Sequence, residues 1–189
     1  MRHFDIPFEE LLIPLDQQDT NREILKVSPS GKVPALLDGS VTIWESLAIA
    51  EYLNEKYPKL GLWPQDTGVR AWARSIANEM HAGFASMRNH LPHDLQKSVK
   101  GFDWSPAKAD VLRVFAIWND CLIKSKGPYL FGSFSIADAM YAPVVNRLIS
   151  YDVPCEGAVQ KYVQAIRNLP AHQEWIATGE SEKLQAPNH

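Results

Sequence analysis

The spacing of the hydrophobic positions changes near residue 58, and the two parts of the chain predict different kinds of structure. Before that point the apolar side chains come in short runs. Residues 4–15 are rich in strand-forming side chains and predict one strand, which Pro14 closes. Residues 21–27 then predict a short helix, and residues 28–31 end it as a loop of serine, proline and glycine.

Two further apolar runs, residues 35–37 and 41–44, flank the pair Asp38-Gly39. Because Asp-Gly between strand formers is a strong hairpin signal, these runs predict an antiparallel pair of strands. From Ser46 onward the apolar residues recur at steps of three and four, which predicts a helix that Ser46 caps and a proline ends. The first part of the chain is therefore a mixture of strands and helices.

The second part is predicted to be helical throughout. Residues 59–68 are rich in proline, glycine and polar groups, as expected of a linker between two compact units. Beyond them, an apolar stripe at helical spacing over residues 72–87 predicts one helix, and residues 107–123 predict a second. Each has an apolar face, so both require neighbours to pack against.

A third helix of this part is predicted to begin at Ser135, because Asp138 three residues later is suited to a capping box. Its residues are apolar on more than one face, which predicts a position at the centre of a bundle, and Pro143 should kink it. The remaining pattern predicts two helices and a loosely held polar tail, at residues 159–169, 170–177 and 179–189.

Composition excludes several classes of partner. With 189 residues, a formal net charge of -3 and no basic run, the chain is not expected to bind nucleic acid or an anionic membrane surface. No apolar run reaches the roughly 20 residues of a membrane span. Cys121 and Cys155 lack the spacing of metal ligands, and no secretion signal is recognisable. We therefore expect a cytoplasmic protein with no metal and two structural cysteines.

Two segments carry recognisable ligand chemistry. A proline before a strand adopts a cis bond at modest cost, and such a bond at Val33-Pro34 turns backbone groups outward, where Val33 can pair with a ligand's peptide. At the helix start, the free amides, the helix dipole and the Ser46 hydroxyl favour a carboxylate, and Glu45 suits an ammonium. Taken alone, the helix start is more often a plain cap. The two segments together suit a ligand with an amino-acid head and a peptide-like middle.

The pattern SGKVPALLDG, followed by WESLAIAEYL, a linker and FSIADA, closely resembles the cytosolic glutathione transferase family of the bacterial type. The resemblance covers nearly the whole chain. It implies a thioredoxin-like α/β domain at residues 1–58, a linker at residues 59–68 and an all-α helical bundle at residues 69–189. It also implies glutathione as co-substrate, a small electrophilic substrate and a homodimer.

The resemblance also implies a role for each residue of the two segments. Val33 is expected to bind the cysteinyl unit of glutathione through its backbone, beside a cis Pro34. Glu45 and Ser46 are expected to hold the γ-glutamyl head. Lys32 is expected to help with the glycyl carboxylate.

The opening residues RHFDIPFEE resemble the segment that follows the first helix of the family. The α/β domain is therefore expected to be incomplete, without the family's first strand and the start of its first helix. No residue of this sequence matches the catalytic Ser, Cys or Tyr. The function implied is addition of the glutathione thiolate to an electrophilic small molecule. The alternative is a non-catalytic glutathione-binding or interaction module.

Two side-chain groups in the helical part keep two interpretations each. An apolar group is either core or the wall of an electrophile pocket, and core is the commoner role at this spacing. It consists of Met80, Phe84 and Met87. A basic group either meets an anionic substrate or complements a helix dipole. It consists of His81, Arg88, His90 and His93.

Overall fold

The computed structural model describes residues 1–182 of the chain. Internal contacts separate these residues into two compact units, Met1–Leu60 and Gly61–Glu182. Within the described residues, the first unit carries a two-stranded sheet and two α-helices, and the second is a bundle of helices.

The first unit follows the predicted hairpin and helices closely. β1 and β2 pair antiparallel, with Ala35 opposite Trp44 and Asp38 opposite Val41, so the turn consists of Gly39 and Ser40. Gly39 has a φ of 59°, which a residue without a Cβ adopts readily. The elements are α1 (Thr20–Leu25), β1 (Ala35–Asp38), β2 (Val41–Trp44) and α2 (Ser46–Lys56), with 3₁₀ turns at Arg2–Phe4 and Pro58–Leu60.

The strand predicted over residues 4–15 is wrong. A 3₁₀ turn ends at Phe4, and residues 6–15 carry no strand or helix. A strand needs a neighbour for its backbone groups, and the sheet of the described residues consists of β1 and β2 alone. Leu11 and Leu12 are accordingly 70% and 74% exposed. The segment therefore has a strand-forming composition, but no strand among the described residues pairs with it.

The second unit is built from six α-helices within the described residues, and its largest fully buried side chain is Trp118. That ring packs edge-on against Tyr141, with the ring centroids 5.7 Å apart. The helices are α3 (Thr67–Ala82), α4 (Ala85–His90), α5 (Lys108–Ser125), α6 (Ile136–Ser150), α7 (Gly157–Arg167) and α8 (Pro170–Ser181), with a 3₁₀ turn at Ser105–Ala107.

The single helix predicted over residues 72–87 is wrong at one point, where α3 ends and α4 begins. Gly83 is extended, and Phe84 has a left-handed φ of 61°. A Cβ at Gly83 would lie 2.7 Å from the Glu79 carbonyl oxygen, so the close approach requires glycine. Arg88 donates from Nε to the Gly83 carbonyl at 3.0 Å, and also to two carbonyls in the last turn of α3. Helix-end geometry therefore overrides the apolar periodicity.

The capping box predicted at the start of α6 is confirmed. Asp138 Oδ2 accepts hydrogen bonds from the Ser135 N–H at 2.9 Å and from the Ser135 hydroxyl at 3.0 Å. Asp138 Oδ1 accepts a third from the Leu130 N–H at 3.0 Å. Burial raises the pKa of Asp138 to about 6, and the accepted hydrogen bonds oppose a further rise.

The central position predicted for α6 is confirmed by its buried residues, which face more than one side of the helix. Pro143 lies inside α6 and does not end it. The two last predicted helices are present as α7 and α8. The predicted tail is wrong up to Ser181, because Gln96 Nε2 donates to the Gly179 and Glu182 carbonyls and fastens the end of α8. Residues 183–189 of that predicted tail lie outside the described residues.

Candidate glutathione site

The register of the hairpin places two predicted ligand segments at the same end of the sheet. Ala35 at the start of β1 lies opposite Trp44 at the end of β2. Pro34 and Glu45 are the next residues outward, so both lie at the open end of the hairpin, away from its turn. Neighbouring strands are about 4.8 Å apart. The two segments, which are well separated in sequence, therefore lie about one strand spacing apart in space.

The Val33-Pro34 bond is cis, as predicted. Val33 lies outside the β1–β2 ladder, and its side chain is 48% exposed. Its N–H and carbonyl make no backbone hydrogen bond with any part of the chain that the structure describes. A peptide group of a ligand can therefore pair with it without displacing a protein partner.

The start of α2 carries the second predicted ligand segment. Glu45 is the N-cap residue and makes no side-chain cap hydrogen bond, while its carbonyl accepts from the Ile49 N–H at 3.0 Å. Ser46 is half-buried and is the first residue of the helix, so the prediction that Ser46 is the cap is wrong by one position. The amides of the first turn have no intrahelical acceptors and carry the positive end of the dipole. An anion is the natural partner for them.

Glu45 has an unusual backbone, with φ 69° and ψ 123°. A residue with a Cβ adopts a positive φ of this kind only at a cost of about 1–3 kcal/mol. The conformation turns the chain sharply from β2 into α2, and the Glu45 side chain is exposed there. No pattern in the sequence predicted this strain, because a glycine is the usual signal and glutamate stands in its place.

Asp38 fastens the hairpin to α2 and thereby positions the site. Its Oδ2 accepts a hydrogen bond from the Tyr52 hydroxyl at 2.7 Å and pairs with Lys56 Nζ. Lys56, and next Tyr52, hold the pKa of the Asp38 carboxyl below its usual value. Sequence reasoning assigned Asp38 to the turn and missed this contact. Tyr52 and Lys56 are four apart on one helix face, which was the available signal.

Lys32 belongs to a loop that α1 supports. Its side chain is exposed, and its N–H donates to Ser30 Oγ at 3.3 Å. Gly31 before it has a φ of 66° and lies close to Asn21 and Leu25 of α1. The loop thus leads directly into Val33, but no contact of the Lys32 ammonium with the described part of the chain places it against the rest of the site.

The residues predicted as a possible electrophile wall lie in the second unit and are all buried. Met80, Phe84 and Met87 are 3%, 7% and 0% exposed. Such burial is what the core interpretation requires, and the wall remains a prediction.

The basic group of the second unit does not converge on one point. His90 Nε2 lies 2.9 Å from the Asp103 carbonyl, and His93 stacks on Trp175 with ring centroids 5.3 Å apart. Arg88 is engaged at the end of α3 and His93 is desolvated, so its pKa is lowered by burial and next by Arg147. The arrangement favours the helix-end interpretation for Arg88.

Other chemistry can be placed within residues 1–182. Burial raises the pKa of Cys121 to about 12 and that of Cys155 to about 11, so both thiols stay protonated near neutral pH. No group of three or more His, Cys, Asp or Glu residues in this range is arranged to hold a metal ion. None of the helices described is both long and apolar enough to cross a membrane.

Comparison with known proteins agrees with the fold. Residues 1–56 match the N-terminal domain of glutathione S-transferases, and residues 70–177 match the C-terminal domain. Glutathione S-transferase Z1 of Arabidopsis thaliana is 48% identical over 86% of this chain and 75% of its own length. A probable maleylacetoacetate isomerase of Caenorhabditis elegans is 28% identical over 88% of this chain and 80% of its own.

A solved structure extends the likeness to three dimensions. The crystal structure of a glutathione transferase homologue from Burkholderia GL BGR1, with bound glutathione, covers 96% of this chain and 88% of its own. Its TM-score is 0.70 and its sequence identity is 25%. The expected architecture of a thioredoxin-like α/β part followed by a helical bundle is confirmed. The chain belongs to the glutathione S-transferase family.

Proposed function

We propose that this chain binds glutathione at the open end of the β1–β2 hairpin. The Val33 backbone pairs with the cysteinyl unit, beside the cis Pro34. The γ-glutamyl carboxylate lies at the start of α2, where it accepts from the first-turn amides and from the Ser46 hydroxyl. Glu45 pairs with the γ-glutamyl ammonium. Lys32 meets the glycyl carboxylate at the edge of the site.

The observation that carries this proposal is the strand register. The pairing of Ala35 with Trp44 brings the Val33 backbone, which makes no backbone hydrogen bond within the described residues, next to the start of α2 at Ser46. One accepts a peptide and the other an anion. The exposed Glu45 supplies the charge that an ammonium requires. These are the parts of glutathione in their chemical order, and the relative from Burkholderia was crystallised with that molecule.

The proposed reaction uses the glutathione thiolate as nucleophile on an electrophilic carbon. In a substitution, the sulfur–carbon bond forms as the bond to the leaving anion breaks, and the thiol proton passes to solvent. One relative is named an isomerase and another a transferase. We therefore include two outcomes in the proposal: the sulfur–carbon bond is kept in a conjugate, or it breaks again and releases glutathione and an isomerised product. The same proposal includes a homodimer, a cytoplasmic location and domains at residues 1–58 and 69–189.

The test of the binding mode is isothermal titration of the full chain with glutathione and with glutathione that lacks the γ-glutamyl amino group. The wild type should prefer glutathione by about tenfold or more, since an ammonium–carboxylate hydrogen bond contributes about 1.5–3 kcal/mol. Glu45→Gln should remove most of that preference and leave the affinity for the deaminated ligand nearly unchanged.

Glu55→Gln is the matched control. Glu55 is exposed near the other end of α2, so the substitution makes the same change of charge on the same helix. It should leave the preference intact. Equal affinity of the wild type for the two ligands, or an equal loss of preference in both variants, would contradict the assignment of Glu45.

Turnover separates the proposed enzyme from the alternative of a binding module. A conjugation assay with a chlorinated aromatic electrophile and an isomerisation assay with a conjugated cis-alkene acid should be run on the sample used for titration. Glutathione-dependent product in either assay supports the enzyme. Saturable binding with no product in either assay favours the binding module. The observation that supports this alternative is that the groups assigned to the described half-site are binding groups.

A further inference from the structure

The helix α8 is held to the rest of the second unit by few buried side chains. Its buried residue is His172, which is 6% exposed, and Trp175 one turn further on is 41% exposed. In contrast, α6 buries residues along most of its length. Elements with little buried surface open locally at a lower free energy than the core of a protein. The contacts of His172 and Trp175 therefore decide how firmly α8 is docked.

Those two side chains dock on two other elements. His172 Nε2 lies 2.9 Å from Asn146 Oδ1 on α6. The Trp175 ring stacks on the ring of His93, in the segment that follows α4, with ring centroids 5.3 Å apart and planes 13° from parallel. His172 packs edge-on against the same Trp175, at 5.6 Å between ring centroids. One titratable ring thus lies on each side of the contact between α8 and its neighbours.

The groups around His93 favour its neutral form. Its Nε2 is buried and has no hydrogen-bond partner among residues 1–182. The buried Arg147 of α6 donates from Nη1 to the carbonyls of Arg88 and Leu91, and the cation of Arg88 is a further positive charge nearby. Burial, and next Arg147, lower the pKa of His93, whereas the exposed Asp94 acts in the opposite direction. A proton on His93 therefore places a charge beside an existing buried cation.

His172 is in a similar position on the other side of the contact. Burial, and next His93 and Arg167 at the end of α7, lower its pKa. The Asn146 amide does not compensate a positive ring, because it carries no net charge. Whichever nitrogen holds the proton of the neutral ring, a second proton charges a side chain that is 6% exposed. Protonation of both histidines places two like charges across one contact.

We propose that His93, His172 and Trp175 form an acid-sensitive latch, which docks α8 near neutral pH and releases it when the two histidines are protonated. Gln96 lies on the same segment as His93, and its Nε2 donates to the Gly179 and Glu182 carbonyls at the end of α8. The two contacts of this segment with α8 are therefore lost together. The latch lies within Gly61–Glu182 and shares no residue with the proposed glutathione site in Met1–Leu60.

The direction of the pH dependence follows from the docked state. A histidine of the released helix or segment titrates near its ordinary pKa of about 6.5. Within the latch the pKa values of His93 and His172 are lower, so the docked state binds protons less tightly than the released state. Docking is therefore most stable above about pH 6.5 and is weakened as the pH falls below that value.

The first experiment measures amide hydrogen exchange of the full chain at about pH 7.5 and about pH 5, with the rates corrected for the intrinsic effect of pH. The corrected exchange of the α8 amides should be at least about fivefold faster at the lower pH, while that of the α7 amides should change by less than about twofold. Unchanged exchange in α8, or equal acceleration in α7 and α8, would overturn the latch.

The second experiment removes the titrating rings. His93→Phe keeps a ring to stack on Trp175, and His172→Gln keeps an uncharged polar side chain beside Asn146. In the double variant the corrected α8 exchange should differ by less than about twofold between the two pH values. The readout is this ratio, so a variant whose α8 is looser at both pH values still tests the latch. Retention of the wild-type ratio would overturn it.

His90→Gln is the matched control. His90 is a titratable residue at the end of α4 and lies outside the latch, with its Nε2 2.9 Å from the Asp103 carbonyl. The substitution should leave the acceleration of α8 exchange at about pH 5 equal to that of the wild type. Loss of the acceleration in His90→Gln as well as in the double variant would show that the effect is not specific to the latch, and would overturn the proposal.

Discussion

The starts of α2 and α6 carry similar sequences, an acidic residue and a serine close together, and differ in what satisfies their amides. At α6 the polar groups are buried, with Ser135 3% and Asp138 0% exposed, and they bond to one another. At α2 the cap residue Glu45 is exposed, has a positive φ and makes no side-chain cap hydrogen bond. The first arrangement is a reciprocal cap that stabilises the fold. In the second the cap residue does not cap the helix with its own side chain, and we propose that a ligand's carboxylate meets its first-turn amides.

The comparison teaches that two helix starts with similar residues can serve different purposes, which burial and backbone conformation distinguish. In a reciprocal cap the side chains accept hydrogen bonds from the first amides, and the entropy cost of ordering these side chains is part of the folding free energy. At α2 the exposed cap residue with a positive φ suits the ligand role that we propose. Substitutions at the two starts should therefore affect different quantities.

The largest effect is expected at the buried carboxylate. Asp138→Ala removes the acceptor of three hydrogen bonds and should lower the free energy of unfolding by about 3 kcal/mol or more, measured by urea denaturation. Asp66→Ala is the control, since exposed Asp66 caps α3 with one bond, from the Val69 N–H at 2.8 Å. It should cost about 1 kcal/mol. Similar losses would mean that burial and number of bonds do not distinguish the two caps.

The next effect is a pH dependence of stability. The pKa of Asp138 is raised to about 6 in the folded chain, so the folded state binds the proton more tightly than the unfolded state. Stability from this group is greatest below about pH 4 and is lost as the pH rises through 6, by roughly 2–3 kcal/mol. Denaturation of the wild type and of Asp138→Asn should be measured from pH 4 to 7. The difference between their free energies of unfolding isolates the Asp138 contribution, because His93 and His172 titrate in both proteins. A flat difference would contradict the raised pKa.

Substitution of Ser46 should mainly affect the affinity for glutathione, and substitution of Ser135 should mainly affect the stability of the fold. Ser46→Ala should weaken glutathione binding by about 1.5–3 kcal/mol, and it should lower the free energy of unfolding by less than Ser135→Ala does, because Ser46 is half-buried and Ser135 is buried. Ser135→Ala should cost about 1–2 kcal/mol of folding stability and leave glutathione affinity unchanged. Ser40→Ala, at the hairpin turn, should change neither quantity. Calorimetry and urea denaturation check both; a loss of stability in Ser46→Ala as large as that in Ser135→Ala would assign Ser46 to the fold.

The smallest effect concerns the backbone at position 45. Glu45→Gly and Glu45→Ala both remove the carboxylate, but only glycine adopts φ 69° without strain. The glycine variant should be more stable than the alanine variant by about 1 kcal/mol, while both bind glutathione equally weakly. Thermal denaturation and titration of the two proteins measure the difference. Equal stability would show that the conformation carries no strain.

Local signals predicted much of this fold. The Asp-Gly hairpin and the spacing of Ser135 and Asp138 were sufficient because turn and cap chemistry act within a few residues. The stripe over residues 72–87 failed, since Arg88 reaches back to end α3 from the following helix. The strand over residues 4–15 failed because pairing depends on a distant partner. For the site, the motif and the resemblance supplied the residues, whereas the positive φ of Glu45 and the role of Asp38 required coordinates.

The hairpin register also controls which changes of chain length the site tolerates. Side chains alternate between the two faces of a strand, so one residue inserted near Gly39 and Ser40 shifts the pairing by one position or forces a bulge. In the shifted pairing Ala35 would no longer lie opposite Trp44, and Val33 would no longer lie beside the start of α2, although no residue of the proposed site had changed. Turn loops usually accept insertions with little consequence. In this family member, the length of the turn therefore helps to set the relative position of the two proposed ligand-binding segments.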